Sequence, residues 1–505
     1  MTKYIRKSHD VDVMLLAEGT YPYIRGGVSS WIAQILTGMS DIKFGICFIG
    51  SQESDYGDLR YELPDNLVHL EVHYLFGDNV PDVKKRKGNK KAFETVEKLY
   101  ASFKDKSKEI PDAIKNIDFY NKDITFEDFL YSKLSWEFIN KIYMQNAPDV
   151  PFIDYFWTLR NIHRPIWILA KIVKNFPNVK VFHAPSTGYA GFLGALASYD
   201  RDVGLILTEH GIYTRERKID MLTAEWIDFK KPPLLKVPEE FNYIKKMWVE
   251  FFKKIGDFAY QRSNPILSLY PGAQKIQIAF GADETKTQVI PNGVDVDGLK
   301  ATIKNRQNPP KPIITLIGRV VSIKDIKTFI RAIRITVNKI PDVEAWVVGP
   351  TDEDEEYFIE CQQMIESLGL TENMKFLGFQ NIKDILPQSA LQTLTSISEG
   401  MPLVILEGFA AGVPCVATDV GSCRDLINGG LDDEDIELGS AGAITSIANP
   451  SELAKQYIHF LTDMDAWKNA QDVALKRVEK YYRQEIFLKK YHEIYMNLIN
   501  KNKAL

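Results

Sequence analysis

From position 11 onward, short and nearly continuous apolar runs alternate with longer segments whose apolar residues recur every three or four positions. The runs at 11–17, 44–49, 179–182, 203–208, 313–317, 345–348, 375–377, 391–395 and 414–417 predict strands. They are apolar at successive positions rather than at alternate ones, which implies burial on both faces, as in parallel sheets covered by helices. The segments 28–39, 326–339, 355–368 and 403–411 have helical spacing, and so does the closing stretch 484–498. Strand–helix alternation over the whole length predicts an α/β protein with doubly wound, Rossmann-like sheets.

The rhythm breaks twice. Residues 77–151 are charged and aromatic and read as a helical insertion. Residues 304–311 (KNRQNPPK) are polar with two prolines and mark a boundary before a new strand. The expected organisation is therefore an N-terminal domain over 1–303, a second domain over 304–483, and a final helix over 484–505 that can return to the first domain. Two such domains leave a cleft lined by the carboxyl ends of their strands, where open α/β sheets bind ligands.

Composition narrows the class. With 505 residues, 26% charged and 45% hydrophobic, the chain can bury large cores and is not a disordered protein. Sixty-two basic against 67 acidic residues argue against a nucleic-acid-coating protein. Four scattered cysteines without a CxxC pair suit a reducing compartment. No segment reads as a membrane span, so a cytoplasmic location is expected.

Two constellations carry chemistry. In SISEGMPLVILEGFAAGVPCVA, Glu399 and Glu407 are separated by seven residues, with Gly400, Met401 and Pro402 at the entry to a helix. Pro402 suits the first turn, and Glu407 falls more than a turn further in, roughly 7 Å along the axis. The N–H groups of Met401, Leu403 and Val404 would point out of the helix end toward an anion. In LIGRVVSIKD, Gly318, Arg319 and Lys324 follow the strand 313–317, placing a guanidinium fork and a mobile ammonium at the sheet's carboxyl edge. Together these groups suit a diphosphate flanked by sugar hydroxyls.

These two patterns, in this order and with VIPNGVD at 289–295, resemble the retaining GT-B glycosyltransferases of family 4. Further strings, LAEGTYPYIRGGVSSW from Leu16, LTEHGIYTRER from Leu207 and VGPTDED from Val348, are similar to the cytosolic glycosyltransferases of Pel exopolysaccharide systems. The resemblance implies the GT-B fold, with two Rossmann-like domains facing across a cleft. It implies a UDP-sugar donor, a hexose or N-acetylhexosamine as the transferred group, a growing polysaccharide as acceptor, and no cofactor or metal. Arg319 and Lys324 would bind the donor diphosphate, and Glu407 the ribose. Glu399, aided by the 400–403 backbone, would hold the transferred sugar, and Phe379 and Gln380 would lie near the base. On the N-terminal side, Gly27 after the first strand would approach the diphosphate or the acceptor. His210 would touch donor sugar or acceptor, with Glu18, His183 and Arg217 as acceptor-side candidates. Inner-membrane polysaccharide-export proteins are candidate partners, and recruitment to the inner face of the cytoplasmic membrane is a candidate extension.

Other readings have less support. Asp295 and Asp297 form a DxD string but follow a Pro-Asn-Gly turn with no histidine nearby in sequence, and the eight histidines show no ligand spacing. The basic run 84–91 reads as a solvated loop, with an anionic surface or a partner protein as the alternative. GxGxxG, GxxxxGK[ST] and GxSxG are absent, against dehydrogenase, P-loop and esterase functions. A non-catalytic nucleotide-sugar-binding regulator and a glycoside phosphorylase of similar fold stay open, as does a covalent route through Glu399.

Overall fold

The computed structural model describes residues 3–77, 81–104, 110–146, 151–217 and 243–501. The chain forms two compact units. The first comprises Met1–Leu267, Ile276–Gln288 and His492–Leu505; the second comprises Ser268–Lys275 and Val289–Tyr491. The main change of unit thus comes before the proline-marked stretch 304–311. Val294, Val296 and Leu299 explain this, because they are buried in the second unit's core. The last helix, Gln484–Lys501, gives its residues from His492 onward to the first unit.

The first unit is built on an eight-stranded sheet: β1 (Lys3–Arg6), β2 (Asp10–Glu18), β3 (Phe44–Gly50), β4 (Leu67–Tyr74), β5 (Asn178–Ala184), β6 (Gly204–Glu209), β7 (Ile266–Ser268) and β8 (Thr287–Val289). Their spatial order is β1-β4-β3-β2-β5-β6-β7-β8. Strand β2 pairs in parallel with β3 on one side and β5 on the other, so the winding direction reverses beside β2. Antiparallel β1 closes the edge against β4. Strands β1, β4, β7 and β8 did not stand out as apolar runs. β7 and β8 have three residues each, and β4 reads LVHLEVHY, with polar groups at every second position.

The segment 77–151 is largely helical where it is described, with Lys90–Lys104, Phe126–Tyr131 and Lys133–Asn146. It attaches to the long helix Phe152–Asn175 by aromatic contacts. Trp167 stacks on Phe129 at 4.4 Å and donates its ring N–H to the Ile124 carbonyl at 2.7 Å. Within the basic run 84–91, Arg86 pairs with Asp128 at 3.2 Å.

The second unit has six strands: β9 (Ile313–Ile317), β10 (Glu344–Val348), β11 (Met374–Gly378), β12 (Leu391–Leu394), β13 (Cys415–Thr418) and β14 (Gly442–Thr445). All pair in parallel in the order β11-β10-β9-β12-β13-β14. This is the doubly wound Rossmann order, with its switch point between β9 and β12. Ile326, Phe329, Ile330 and Ile333 place one apolar stripe of helix Ile326–Val337 on the sheet, and Asp325 caps its start. Among the described residues, no helix is long and apolar enough to cross a membrane.

Candidate functional site

In an open parallel sheet, the loops leaving the two strands at a switch point diverge to opposite faces and leave a crevice at the carboxyl edge. In the second unit those loops are Gly318–Lys324, after β9, and Thr395–Pro402, after β12. They are tied together: Ile397 donates to the Ile323 carbonyl at 2.9 Å, and the Thr395 hydroxyl to the Lys324 carbonyl at 2.8 Å. Lys324 Nζ lies 2.6 Å from Glu399 Oε1, which also accepts the Ser396 hydroxyl at 2.6 Å. Arg319 Nη1 reaches Glu353 Oε2 at 2.6 Å, both partners being exposed. Each cation is therefore held by a carboxylate. A solvent-exposed ion pair is worth only about 0–1 kcal/mol, so a diphosphate can displace Glu353 from Arg319 at small cost.

Helix Leu403–Ala410 begins one residue after Pro402, which occupies the cap position rather than the first turn. Ile405 N–H turns back to the Pro402 carbonyl at 3.2 Å, leaving the N–H groups of Leu403 and Val404 without a backbone acceptor among the described residues. Met401 is buried, and its sulfur accepts the Asn292 N–H at 3.4 Å. The helix lies close against β12: a Cβ on Gly408 would sit 1.9 Å from Gln392 Oε1. Glu407, half-buried in the second turn, forms no hydrogen bond or ion pair through its carboxylate among the described residues. Burial alone pushes that carboxyl up to about 7. An acid kept without a partner is costly to the protein, and such groups cluster where a ligand supplies the missing bonds.

Two glycines let the strand-end loops approach one another. Gly421, at φ +54°, would place a Cβ 2.3 Å from the carbonyl oxygens of Glu399 and Gly400, and Ser422 N–H donates to that Gly400 carbonyl at 2.9 Å. Gly349 would place a Cβ 2.0 Å from the Gly318 carbonyl. Neither glycine, nor Ser396 or Glu353, stood out by residue type. A Gly just beyond a strand was the one available signal. Phe379, past β11, is 68% exposed, and Gln380 folds back on the Leu377 carbonyl at 2.8 Å.

The first unit sorts its candidates differently. His183 is fully buried and uses both ring nitrogens, with the Tyr495 hydroxyl at 2.7 Å and the Thr208 hydroxyl at 2.8 Å. Burial pushes its pKa down to about 3. It is a structural link between β5 and the final helix, and it has no ring nitrogen left for an acceptor. Glu18, ending β2, accepts the Ala190 N–H at 3.0 Å and the Tyr213 hydroxyl at 2.9 Å, capping helix Tyr189–Arg201. Arg217 lies over the Tyr213 ring at 5.0 Å. Glu209, beside His210, is consumed by Thr187, Tyr260 and Gln277.

His210 is the exception. Its ring stands edge-on to Trp31 at 4.7 Å, and its Nε2 is buried without a hydrogen-bond partner. Burial pushes its pKa down to about 3, so it is a neutral imidazole. Gly26 and Gly27 open helix Gly27–Gly38, and a Cβ on either would meet nothing within 4 Å, so this turn has open space around it.

The DxD string offers no free carboxylate pair. Asp295 caps helix Val296–Lys300 and pairs with Lys383 at 3.1 Å, while Asp297 pairs with Arg483 at 2.5 Å.

Residues 11–285 match the family model described as Domain of unknown function (DUF3492), and residues 300–477 match Glycosyl transferases group 1. Among curated relatives, the chain is 27% identical over 192 residues to N-acetyl-alpha-D-glucosaminyl L-malate synthase of Bacillus anthracis, covering 38% of this chain and 47% of that protein. It is 28% identical over 200 residues to the UDP-Gal:alpha-D-GlcNAc-diphosphoundecaprenol alpha-1,3-galactosyltransferase of Escherichia coli, covering 37% and 51%. The chain thus spans about half the length of these relatives. Among solved structures, Anabaena HepE in complex with UDP and glucose aligns with a TM-score of 0.59 at 18% identity, covering 96% of this chain and 99% of that one. Sucrose-phosphate synthase from Thermosynechococcus elongatus aligns with a TM-score of 0.58 at 13% identity, covering 97% and 99%. These likenesses establish the fold as GT-B.

Proposed function

Since the chain belongs to the DUF3492 family and carries a group 1 glycosyltransferase domain behind it, we propose that it is a retaining, metal-independent glycosyltransferase using a UDP-sugar. The observation that carries this reading is the switch-point group of the second unit: two cations, Arg319 and Lys324, beside Glu399, the open helix start at Leu403 and the unpartnered Glu407. Arg319 and Lys324 hold the diphosphate, and the Leu403 and Val404 N–H groups add donors to it. Glu407 accepts the ribose hydroxyls, and the base rests near Phe379. Glu399 accepts sugar hydroxyls through the oxygen that Lys324 and Ser396 leave free.

In the transfer, the bond from the anomeric carbon to the diphosphate oxygen breaks, and the acceptor hydroxyl oxygen bonds to the same face of that carbon. The hydroxyl's proton passes to the departing phosphate oxygen. Preorganised cations at the leaving group lower the barrier, single groups of this kind being worth about 10²–10³ in rate. That Glu399 is already bonded to Lys324 and Ser396 favours its service as a fixed acceptor over a covalent nucleophile.

We further assign a hexose or N-acetylhexosamine as the transferred group and a growing exopolysaccharide as acceptor. What supports this is the resemblance of the N-terminal strings to PelF, the cytosolic glycosyltransferase of the Pel system, and the UDP and glucose in complex with HepE. His210, with its free Nε2, is the first-unit residue assigned to a sugar hydroxyl. Location at the cytoplasmic face of the inner membrane and contact with export proteins belong to the same reading. The test is a thermal-shift screen of nucleotide sugars, followed by assay of nucleotide release with the best binder. UDP release in the wild type and its loss by at least about 100-fold in Lys324→Ala, with the fold intact by circular dichroism, is the expected result. Sugar phosphate release in place of UDP, or near-normal turnover in Lys324→Ala, would overturn the assignment.

A further inference from the structure

The first unit holds a cluster of side chains of metal-ligating type that the proposed nucleotide site does not use. Cys47 on β3 stands in register with Glu71 on β4. His69 and His73 flank Glu71 at two residues' distance, so the pleat places all four on one face. Donor atoms of Cys47, Glu71 and His73 fall within 4.8 Å of one another, and all three residues are buried.

A histidine–glutamate hydrogen-bond network is the ordinary alternative, and it is incomplete at both histidines. His69 Nδ1 accepts the Ser8 N–H at 3.2 Å, which leaves the proton on Nε2, 3.4 Å from Glu71 Oε2 and buried without a hydrogen-bond partner. His73 is left in the same state. Its Nε2 lies 3.4 Å from Glu71 Oε1, beyond the roughly 2.7–2.9 Å of a charge-assisted bond, and both atoms are buried without a hydrogen-bond partner. Two ligands on one tetrahedral zinc ion, bonded at about 2.0–2.1 Å, stand roughly 3.3–3.4 Å apart. The Glu71–His73 pair has that spacing and has Cys47 within 4.8 Å to make a third ligand, whereas His69 falls outside that group of three.

We propose that Cys47, Glu71 and His73 form a zinc site, with His69 orienting the Glu71 carboxylate from outside it. A thiolate, an imidazole and a carboxylate suit zinc, whereas magnesium and calcium take oxygen ligands. Cys47 completes the set at a Zn–S distance of about 2.3 Å, and its proton leaves to solvent as the ion binds. His73 also lines a cavity of about 1110 Å³ together with Gln52, Arg164 and Lys171, from which water supplies the fourth ligand. The ion joins β3 to β4 and relieves the buried polar atoms that the metal-free chain leaves unpaired.

The test uses metal-free, full-length protein titrated with Zn²⁺ alone by calorimetry and with Co²⁺ by absorption. One tight equivalent, a thiolate-to-cobalt charge-transfer band and a rise in Tm on adding zinc are expected. Cys47→Ser should abolish the band, and both it and His73→Gln should weaken zinc binding by more than about 100-fold, against about 10-fold or somewhat more for His69→Gln. Zinc affinity unchanged in Cys47→Ser and His73→Gln would overturn the proposal. Should either variant fail to fold, the wild-type cobalt spectrum decides: no thiolate band means no such site.

Discussion

Replacing Glu407 with glutamine should strip nucleotide binding of a proton-coupled component. Burial without a compensating bond pushes the Glu407 carboxyl up to about 7 from its ordinary value of 4.5. A ribose diol donating into the carboxylate favours the ionised form, so under the proposed ribose assignment UDP expels a proton on binding. If the nucleotide restores the ordinary value, about half a proton is released at pH 7, and affinity rises about tenfold between pH 6 and pH 8. Calorimetry of UDP in two buffers of different ionisation enthalpy counts that proton, and the Glu407→Gln profile subtracts the titration of the diphosphate itself. Stability moves in the opposite direction. The folded pKa lies above the unfolded one, so the native state binds more protons between pH 4.5 and 7. Stability therefore falls as pH rises through that window, by about 2–3 kcal/mol in full above pH 7. Glu407→Gln should match the wild type near pH 4.5 and be more stable at pH 8. Equal proton release and parallel stability profiles for the two proteins would refute both the burial argument and the ribose assignment.

Two further substitutions probe the scaffold. Gly421→Ala puts a methyl group against the carbonyl oxygens of Glu399 and Gly400 at a positive φ. It should cost about 1–3 kcal/mol and lower kcat by displacing Glu399; denaturation and turnover both at wild-type values would show that the loop is not held there. Arg477→Met leaves Asp435 buried without the guanidinium that now meets it at 2.7 Å with neither side chain exposed. A loss of about 3–5 kcal/mol is expected, read as a lower denaturation midpoint, and an unchanged midpoint would contradict the buried-charge argument.

Much of the second unit's site could be read along the chain because its residues are local to two strand ends. Gly318, Arg319 and Lys324 follow one apolar run, and Glu399 to Glu407 follow another. An apolar run buried on both faces fixes its own strand, and the next residues must then lie at the carboxyl edge. The first unit was harder to read. His183 and His210 both sit at strand ends with identical chemistry, yet His183 is consumed by Tyr495, 312 positions away in the chain, while His210 keeps Nε2 unclaimed. Histidine spacing likewise hid the Cys47–Glu71–His73 group, since its members lie on two strands whose register is not encoded within either one.

Apolar periodicity and the proline and glycine turns were enough by themselves to determine an α/β chain with doubly wound sheets, and the two charged motifs to mark the strand ends of the candidate site. Those signals act over a few residues, within the reach of backbone sterics and a single helix turn. Tertiary structure alone decided the partners: Lys324 on Glu399, Arg319 on Glu353, His183 on Tyr495, and Glu407 left without one among the described residues. The reason is physical. A hydrogen bond or a buried charge is worth what its surroundings make it, and those surroundings exist only once distant strands have been brought side by side.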